Sequence, residues 1–117
     1  MNQLELLNEI TEESTLTQVQ EYVDMMVKIR GFDKESIQET VLLLLEEMGE
    51  LAKAVRKSET KMSVDESRMN SYESVESEVA DVFFVLTALC NRLNINLLNA
   101  FKEKEMKNCE RKWNFER

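Results

Sequence analysis

The chain has 117 residues, with 15 basic and 23 acidic side chains for a net charge of −8. That length holds one domain with one core, residues 1–117, and that charge repels polyanions, which argues against broad nucleic-acid binding. Two glycines and no proline leave too little turn chemistry for an all-β fold, so the composition points to an all-α protein.

The elements follow in chain order. Leu4, Leu7 and Ile10 mark a short amino-terminal helical turn that ends in the polar cluster Thr11 to Thr15. From Thr17 to Ile29, Val19, Val23, Met26 and Val27 recur at three- and four-residue steps, which is helical periodicity, and Arg30-Gly31 supplies the stop. Ser36 with Glu39 forms an S-x-x-E capping box ahead of Val41 to Leu45, Met48, Leu51, Ala52 and Val55, predicting a second helix to about Lys57. Ser58 to Ser71 has no sustained period and reads as a connecting loop. From Val75 the chain is apolar on nearly every side through Leu89. Such a helix needs cover all round, which a small monomer cannot supply, so self-association is expected. Asn94-Ile95-Asn96 gives a break and a fresh cap, and Leu97 to Lys112 forms a last helix. The expected architecture is an antiparallel bundle of four to five helices, completed by homo-oligomerisation.

The absence of histidine removes Ser-His-Asp and Cys-His catalysis, the usual zinc sites and imidazole acid–base chemistry, and it removes the Glu-x-x-His ligands of a di-iron bundle. Carboxylates are left as metal ligands, and hard cations as their partners. Cys90 and Cys109 lack CxxC spacing and read as reduced thiols. The amino terminus has no basic region followed by an apolar run, and no apolar stretch is long enough to span a membrane. A cytoplasmic protein without membrane association is expected.

Glu46, Glu47 and Glu50 in LLLLEEMGELAKAV share one arc of the second helix, and Glu78 and Asp81 in ESEVADVFFVL stand one turn apart on the next. If the two helices pack antiparallel, these acids converge, and such a cluster stays ionised only with cations between its members. In a chain with this many glutamates the EExxE spacing arises by chance about 0.5 times, so placement matters more. Asp81 lies among Val79, Ala80, Val82 and Phe83, where an unpaired carboxylate costs several kcal/mol. A divalent ion or a salt bridge to Lys53, Arg56, Lys57 or Arg92 would neutralise it. The basic groups are segregated: Lys102 to Arg117 carries six against four acids, while the rest of the chain is at net −10. Lys104, Asn108 and Arg111, at i, i+4 and i+7, line one helix face as donors for phosphate oxygens or as a solvated charged face. Tyr22, Phe32, Tyr72, Phe101 and Trp113 read as core or interface residues.

Taken together, RGFDKES, LLLLEEMGELAKAVRK, ESEVADVFFVL and FKEKEMKNCERKW resemble the MazG-like, all-α nucleoside triphosphate pyrophosphohydrolases, over nearly the whole chain from Thr17 to Trp113. The resemblance implies a helical dimer or tetramer that binds Mg²⁺, with Mn²⁺ as a substitute, and cleaves a nucleoside triphosphate to the monophosphate and pyrophosphate. It places metal ligands at Glu47, Glu50, Glu78 and Asp81, water activation at Glu46 or Glu47, and triphosphate contacts at Lys104, Asn108 and Arg111. A dUTPase or phosphoribosyl-ATP pyrophosphohydrolase activity on the same scaffold, or a non-catalytic helical interaction module, are the alternatives.

Overall fold

The computed structural model describes residues 1–71 and 73–116, so Tyr72 lies outside the described residues. Five α-helices follow one another: α1 Gln3–Asn8, α2 Leu16–Ile29, α3 Ile37–Glu59, α4 Val75–Arg92 and α5 Leu97–Cys109. Short 3₁₀ turns stand at Phe32–Lys34 and Glu66–Ser71. No strand occurs among the described residues.

The helix starts are set by polar caps that satisfy backbone N–H groups the helix itself leaves unpaired. The Ser36 hydroxyl accepts from the Glu39 N–H at 3.0 Å and the Glu39 carboxylate accepts from the Ser36 N–H at 2.9 Å. Those bonds hold the Glu39 carboxyl below its ordinary range. Thr15 with Gln18 repeats the arrangement on α2, and Asn96 caps α5 through the Asn99 N–H. Gly31 ends α2 at φ +78°, a left-handed conformation that costs a side-chain-bearing residue strain. The turn before α5 is made by Asn94 at φ +56°, one of the few side chains that tolerate that region.

The most extensive packing joins α3 to α4, and α2 lies across α4. Val23 and Val27 of α2 pack on Ala88 of α4, flanked by Tyr22 and Phe84, and Met26 and Thr87 are fully buried. Gln20 is a buried polar hub. Its Nε2 donates to Asn91 Oδ1 (3.1 Å) and to the Ile95 carbonyl (3.0 Å), its Oε1 accepts from the Leu97 N–H (2.8 Å), and Asn91 Nδ2 donates to the Gln20 carbonyl (2.9 Å). These bonds clamp the turn between α4 and α5 onto α2 and fix the direction of α5, which leaves α4 at 96°.

Two expectations change. The last helix stops at Cys109 rather than Lys112, so Arg111 sits in the turn beyond it, its N–H donating to the Asn108 carbonyl. The second helix runs on to Glu59, which shortens the connecting segment. The apolar helix α4 is not enclosed in a single chain: Val79, Phe83 and Leu86 are exposed, as are Leu42, Leu45 and Met48 of α3. The radius of gyration is 17.5 Å, against about 13 Å for a compact globule of this length. No single helix is long and apolar enough to cross a membrane among the described residues.

Candidate active site

Glu47 stands midway along α3 and Glu78 and Asp81 in the first two turns of α4. The facing order of the helices brings them together: Glu50 acts electrostatically on Glu78, Glu47 sits by Asp81, and Thr40 and Leu43 share a cleft with Phe84 and Ala88. Falling numbers on α3 against rising numbers on α4 make the pair antiparallel. One carboxylate oxygen from each of Glu47, Glu78 and Asp81 lies within 4.8 Å of the others.

Glu78 is the buried member, 4% exposed, and its Oε2 has no hydrogen-bond partner. Burial pushes its carboxyl above the ordinary range. The charges of Asp81, Glu50 and Glu73 push the same way, and nearby Lys53 only partly offsets them. Glu47, half-buried, is raised by burial first and then by Asp81, Glu78, Glu50 and Glu46. Deprived of solvent and crowded by like charge, this cluster is a place where a cation lowers the energy.

The expectation that Asp81 is the enclosed acid does not hold: Asp81 is exposed, and Glu78 occupies the dry position. Asp81's apolar neighbours Val79 and Phe83 themselves face outward in the single chain. Glu50 stands beside the cluster without joining its tightest group, 3.7 Å from Lys53 Nζ, and Glu46 is exposed. Of the other cations considered as partners for the acids, Arg56 donates to the Ser63 carbonyl and Arg92 to the Glu35 carbonyl.

Three hard carboxylates, one of them buried, suit Mg²⁺ or Mn²⁺ and suit softer metals poorly. Glu47, Glu78 and Asp81 would hold such an ion, with Glu50 at the edge.

Lys104, Asn108 and Arg111 are not brought to the acids within one chain. Asp81 lies eleven residues before the end of α4; at 1.5 Å per residue and the 96° turn, Lys104 stands roughly 19 Å away, and Asn108 and Arg111 follow it farther along and past the end of α5. Within the chain α5 packs on α2.

Beside the acids, the sequence reading missed a cleft of about 450 Å³ whose walls include Val27, Phe32, Leu43 and Phe84 together with Arg30 and Arg92. That volume falls within the roughly 300–1,000 Å³ of small-molecule sites. The Arg30 guanidinium lies over the Phe84 ring, 5.3 Å from its centroid, a cation–π contact. Phe84 stands three residues past Asp81, one helical turn along the same face, which is the signal that could have found it. The Arg30 contact spans too much chain to be read from spacing.

Residues 35–115 match the model of the MazG nucleotide pyrophosphohydrolase domain. The chain belongs to the MazG family. As a member of it, the protein is a nucleotide pyrophosphohydrolase, and α3, α4 and α5 all lie within the matched segment. Among solved structures, the MazG chain is similar to a Bacillus subtilis protein, YPJD, described as a candidate pyrophosphatase. The two are 30% identical at a TM-score of 0.70, over 87% of this chain and all of that one. It is also similar to the Bacillus-conserved MazG protein, described as a nucleotide pyrophosphohydrolase, at 28% identity and TM-score 0.62, over 92% of this chain and all of that one. No curated protein matches.

Proposed function

We propose that this MazG protein hydrolyses nucleoside triphosphates between the α and β phosphates, releasing the monophosphate and pyrophosphate in a Mg²⁺-dependent reaction that Mn²⁺ also supports. The observation that carries the reading is the convergence of Glu47, Glu78 and Asp81, with Glu78 buried and its Oε2 unpartnered, beside a cleft of nucleotide size whose walls include Glu47 and Asp81. The working form is a cytoplasmic homodimer or homotetramer, in which a second copy covers the exposed apolar side chains of α3 and α4.

Bound between these acids, a divalent ion neutralises phosphate charge and acidifies water. The chain's own part is as follows. Glu47, Glu50, Glu78 and Asp81 would hold that ion and through it set the position of the anhydride relative to attacking water. One carboxylate oxygen of Glu46 or Glu47 accepts the water's proton. The Lys104 ammonium, the Asn108 amide and the Arg111 guanidinium donate to phosphate oxygens and offset charge on the departing pyrophosphate. Phe84 and Phe32 offer apolar surface to the nucleoside.

The test is pyrophosphate release from a panel of canonical and modified nucleoside triphosphates, with Mg²⁺ present or chelated. Monophosphate and pyrophosphate in equal amounts, formed only with the ion, are expected. Release of orthophosphate, or equal rates under chelation, would overturn the reading. Hydrolysis confined to dUTP or to phosphoribosyl-ATP would narrow it to those activities.

A further inference from the structure

We infer that the enzyme selects guanine nucleotides, and that Arg92 and Glu35, at the end of the cleft away from the acids, read the edge of the base. This rests on the triphosphate reading above and adds the identity of the nucleobase.

The first support is the order of residues along the cleft. On α4, Asp81, Phe84, Ala88 and Arg92 follow i, i+3, i+7 and i+11, and all four line the cleft, so they form one stripe of the helix. Opposite them, in falling order, Glu47, Leu43, Thr40 and Glu35 line it from α3 and the turn before it. One end therefore holds an acid from each side, the other holds Glu35 and Arg92 with opposite charges, and the stretch between is largely apolar. The eleven residues from Asp81 to Arg92 span roughly 16 Å of helix. With several ångströms of that taken up by the two side chains, the remainder matches the extended length of a nucleoside. Arg30, the other cation of the cleft, is engaged with the Phe84 ring and, through Nε, with the Gln3 side chain at 3.1 Å, which leaves Arg92 to meet the base.

The second support is what the pair leaves unsatisfied. Arg92 is held by one bond, its Nη1 donating to the Glu35 carbonyl at 2.6 Å. Among the described residues its other N–H groups have no partner, and the Glu35 carboxylate accepts no hydrogen bond and forms no ion pair with Arg92 or any other cation. Both residues are half-buried, where unmet donors and acceptors cost free energy. A pair that served only to tie the start of α3 to α4 would close on itself as a salt bridge. Here a fork of donors and a carboxylate line the same cleft with their capacity open.

Guanine satisfies both partners at once. Its O6 and N7 accept two N–H bonds from a guanidinium, the commonest specific contact to a base. Its N1–H and N2–H stand side by side and donate together to a carboxylate, which accepts without donating. Adenine, cytosine, thymine and uracil each offer a carboxylate one N–H at a time. Adenine in the same pose also turns its 6-amino group toward the guanidinium and the N1 lone pair toward the carboxylate, donor against donor and acceptor against acceptor. A site built to hydrogen-bond its substrate rejects an analogue that leaves those groups unpaired.

The test is kcat/KM for pyrophosphate release from dGTP, dITP, dXTP, dATP, dCTP and dUTP with Mg²⁺, in wild type and in Glu35→Gln. Binding of the α,β-methylene analogues of dGTP and dATP is measured alongside by calorimetry with Mn²⁺. Wild type should favour dGTP over dATP, dCTP and dUTP by at least roughly tenfold, with dITP, which lacks the 2-amino group, in between. In Glu35→Gln the new amide N–H donates to the 2-oxo group of xanthine while the amide oxygen accepts from N1–H, so dXTP should overtake dGTP. A merely structural role for Glu35 produces no such reversal. A wild type that treats the bases alike or prefers one other than guanine, or a Glu35→Gln chain that changes every substrate by the same factor, overturns the assignment. A wild type that releases no pyrophosphate from any triphosphate, yet binds the guanine analogue at least roughly tenfold tighter than the adenine one with Glu35→Gln erasing the ratio, defeats the functional reading and leaves the base reading standing. No turnover with equal binding of the two analogues defeats both.

Discussion

Replacing Glu78 by glutamine keeps the side chain's shape and removes one charge from a site that, without metal, holds three carboxylates within 4.8 Å of one another. Two unit charges at that distance repel by about 3.5 kcal/mol at an effective dielectric of about 20. Asp81 and part of Glu47 are open to water, which screens the repulsion, and the glutamine amide still lacks a partner for one polar atom. A net gain of about 2–3 kcal/mol is left for the metal-free protein. For a chain of this length each kcal/mol moves the midpoint by about 4 °C, so Glu78→Gln is expected to melt roughly 8–12 °C above wild type in chelator. With Mg²⁺ the order closes or reverses: an ion at about 100 times its Kd stabilises wild type by about 2.7 kcal/mol, and the variant, having lost a ligand, gains little. Differential scanning calorimetry of both proteins, with chelator and with excess Mg²⁺, reads all four midpoints. A variant that melts at or below wild type in chelator, or a wild type that Mg²⁺ leaves unmoved, refutes the reasoning.

Further outcomes follow from the same structure. The Glu47 and Glu78 carboxyls are raised by burial above the ordinary value of 4.5, so in this range the metal-free folded chain binds protons more tightly than the unfolded one. Stability from these groups is fully present below 4.5 and is lost as pH rises through their raised values. Urea unfolding in chelator should therefore show stability rising as pH is lowered from 8 to 5, with a shallower slope in Glu78→Gln; an equal slope in the two proteins contradicts the assignment. Gln20→Ala leaves the Asn91 Oδ1, the Ile95 carbonyl and the Leu97 N–H without their Gln20 side-chain partner and is expected to cost about 2–4 kcal/mol by urea unfolding, whereas a loss below about 0.5 kcal/mol would deny the hub. Thr15→Ala removes the cap of α2, whose hydroxyl accepts from the Gln18 N–H at 3.1 Å, and should cost about 1 kcal/mol in the same assay.

Much of this was written in the local sequence, and the exceptions have a common cause. Helical spacing placed Glu47 and Glu50 on one helix and Glu78 and Asp81 on the next, and Ser36 with Glu39, Gly31 and Asn96 marked the boundaries between them. Each of those features is decided within a few residues. Which acid is buried is decided between helices: the crowd of apolar neighbours around Asp81 is real, but only one side of α4 meets α3 and α2, and that side carries Glu78. The end of α5 at Cys109 has no glycine or proline to announce it, so Arg111 reads as helical when it is not. The cleft beside the acids needs α2 laid across α4, which brings Arg30 over Phe84 across more than fifty residues of chain. The apolar side chains of α3 and α4 that stand exposed in one copy were legible as a run apolar on every side.

The most direct measurement is the anomalous scattering of Mn²⁺ in crystals of the protein grown with a non-hydrolysable triphosphate. A peak bonded to carboxylate oxygens of Glu47, Glu78 and Asp81 and to phosphate oxygens is expected. Crystals with nucleotide bound and no peak there, or with these acids turned to separate lysines and arginines, would contradict the reading of the cluster as a metal-dependent pyrophosphohydrolase site.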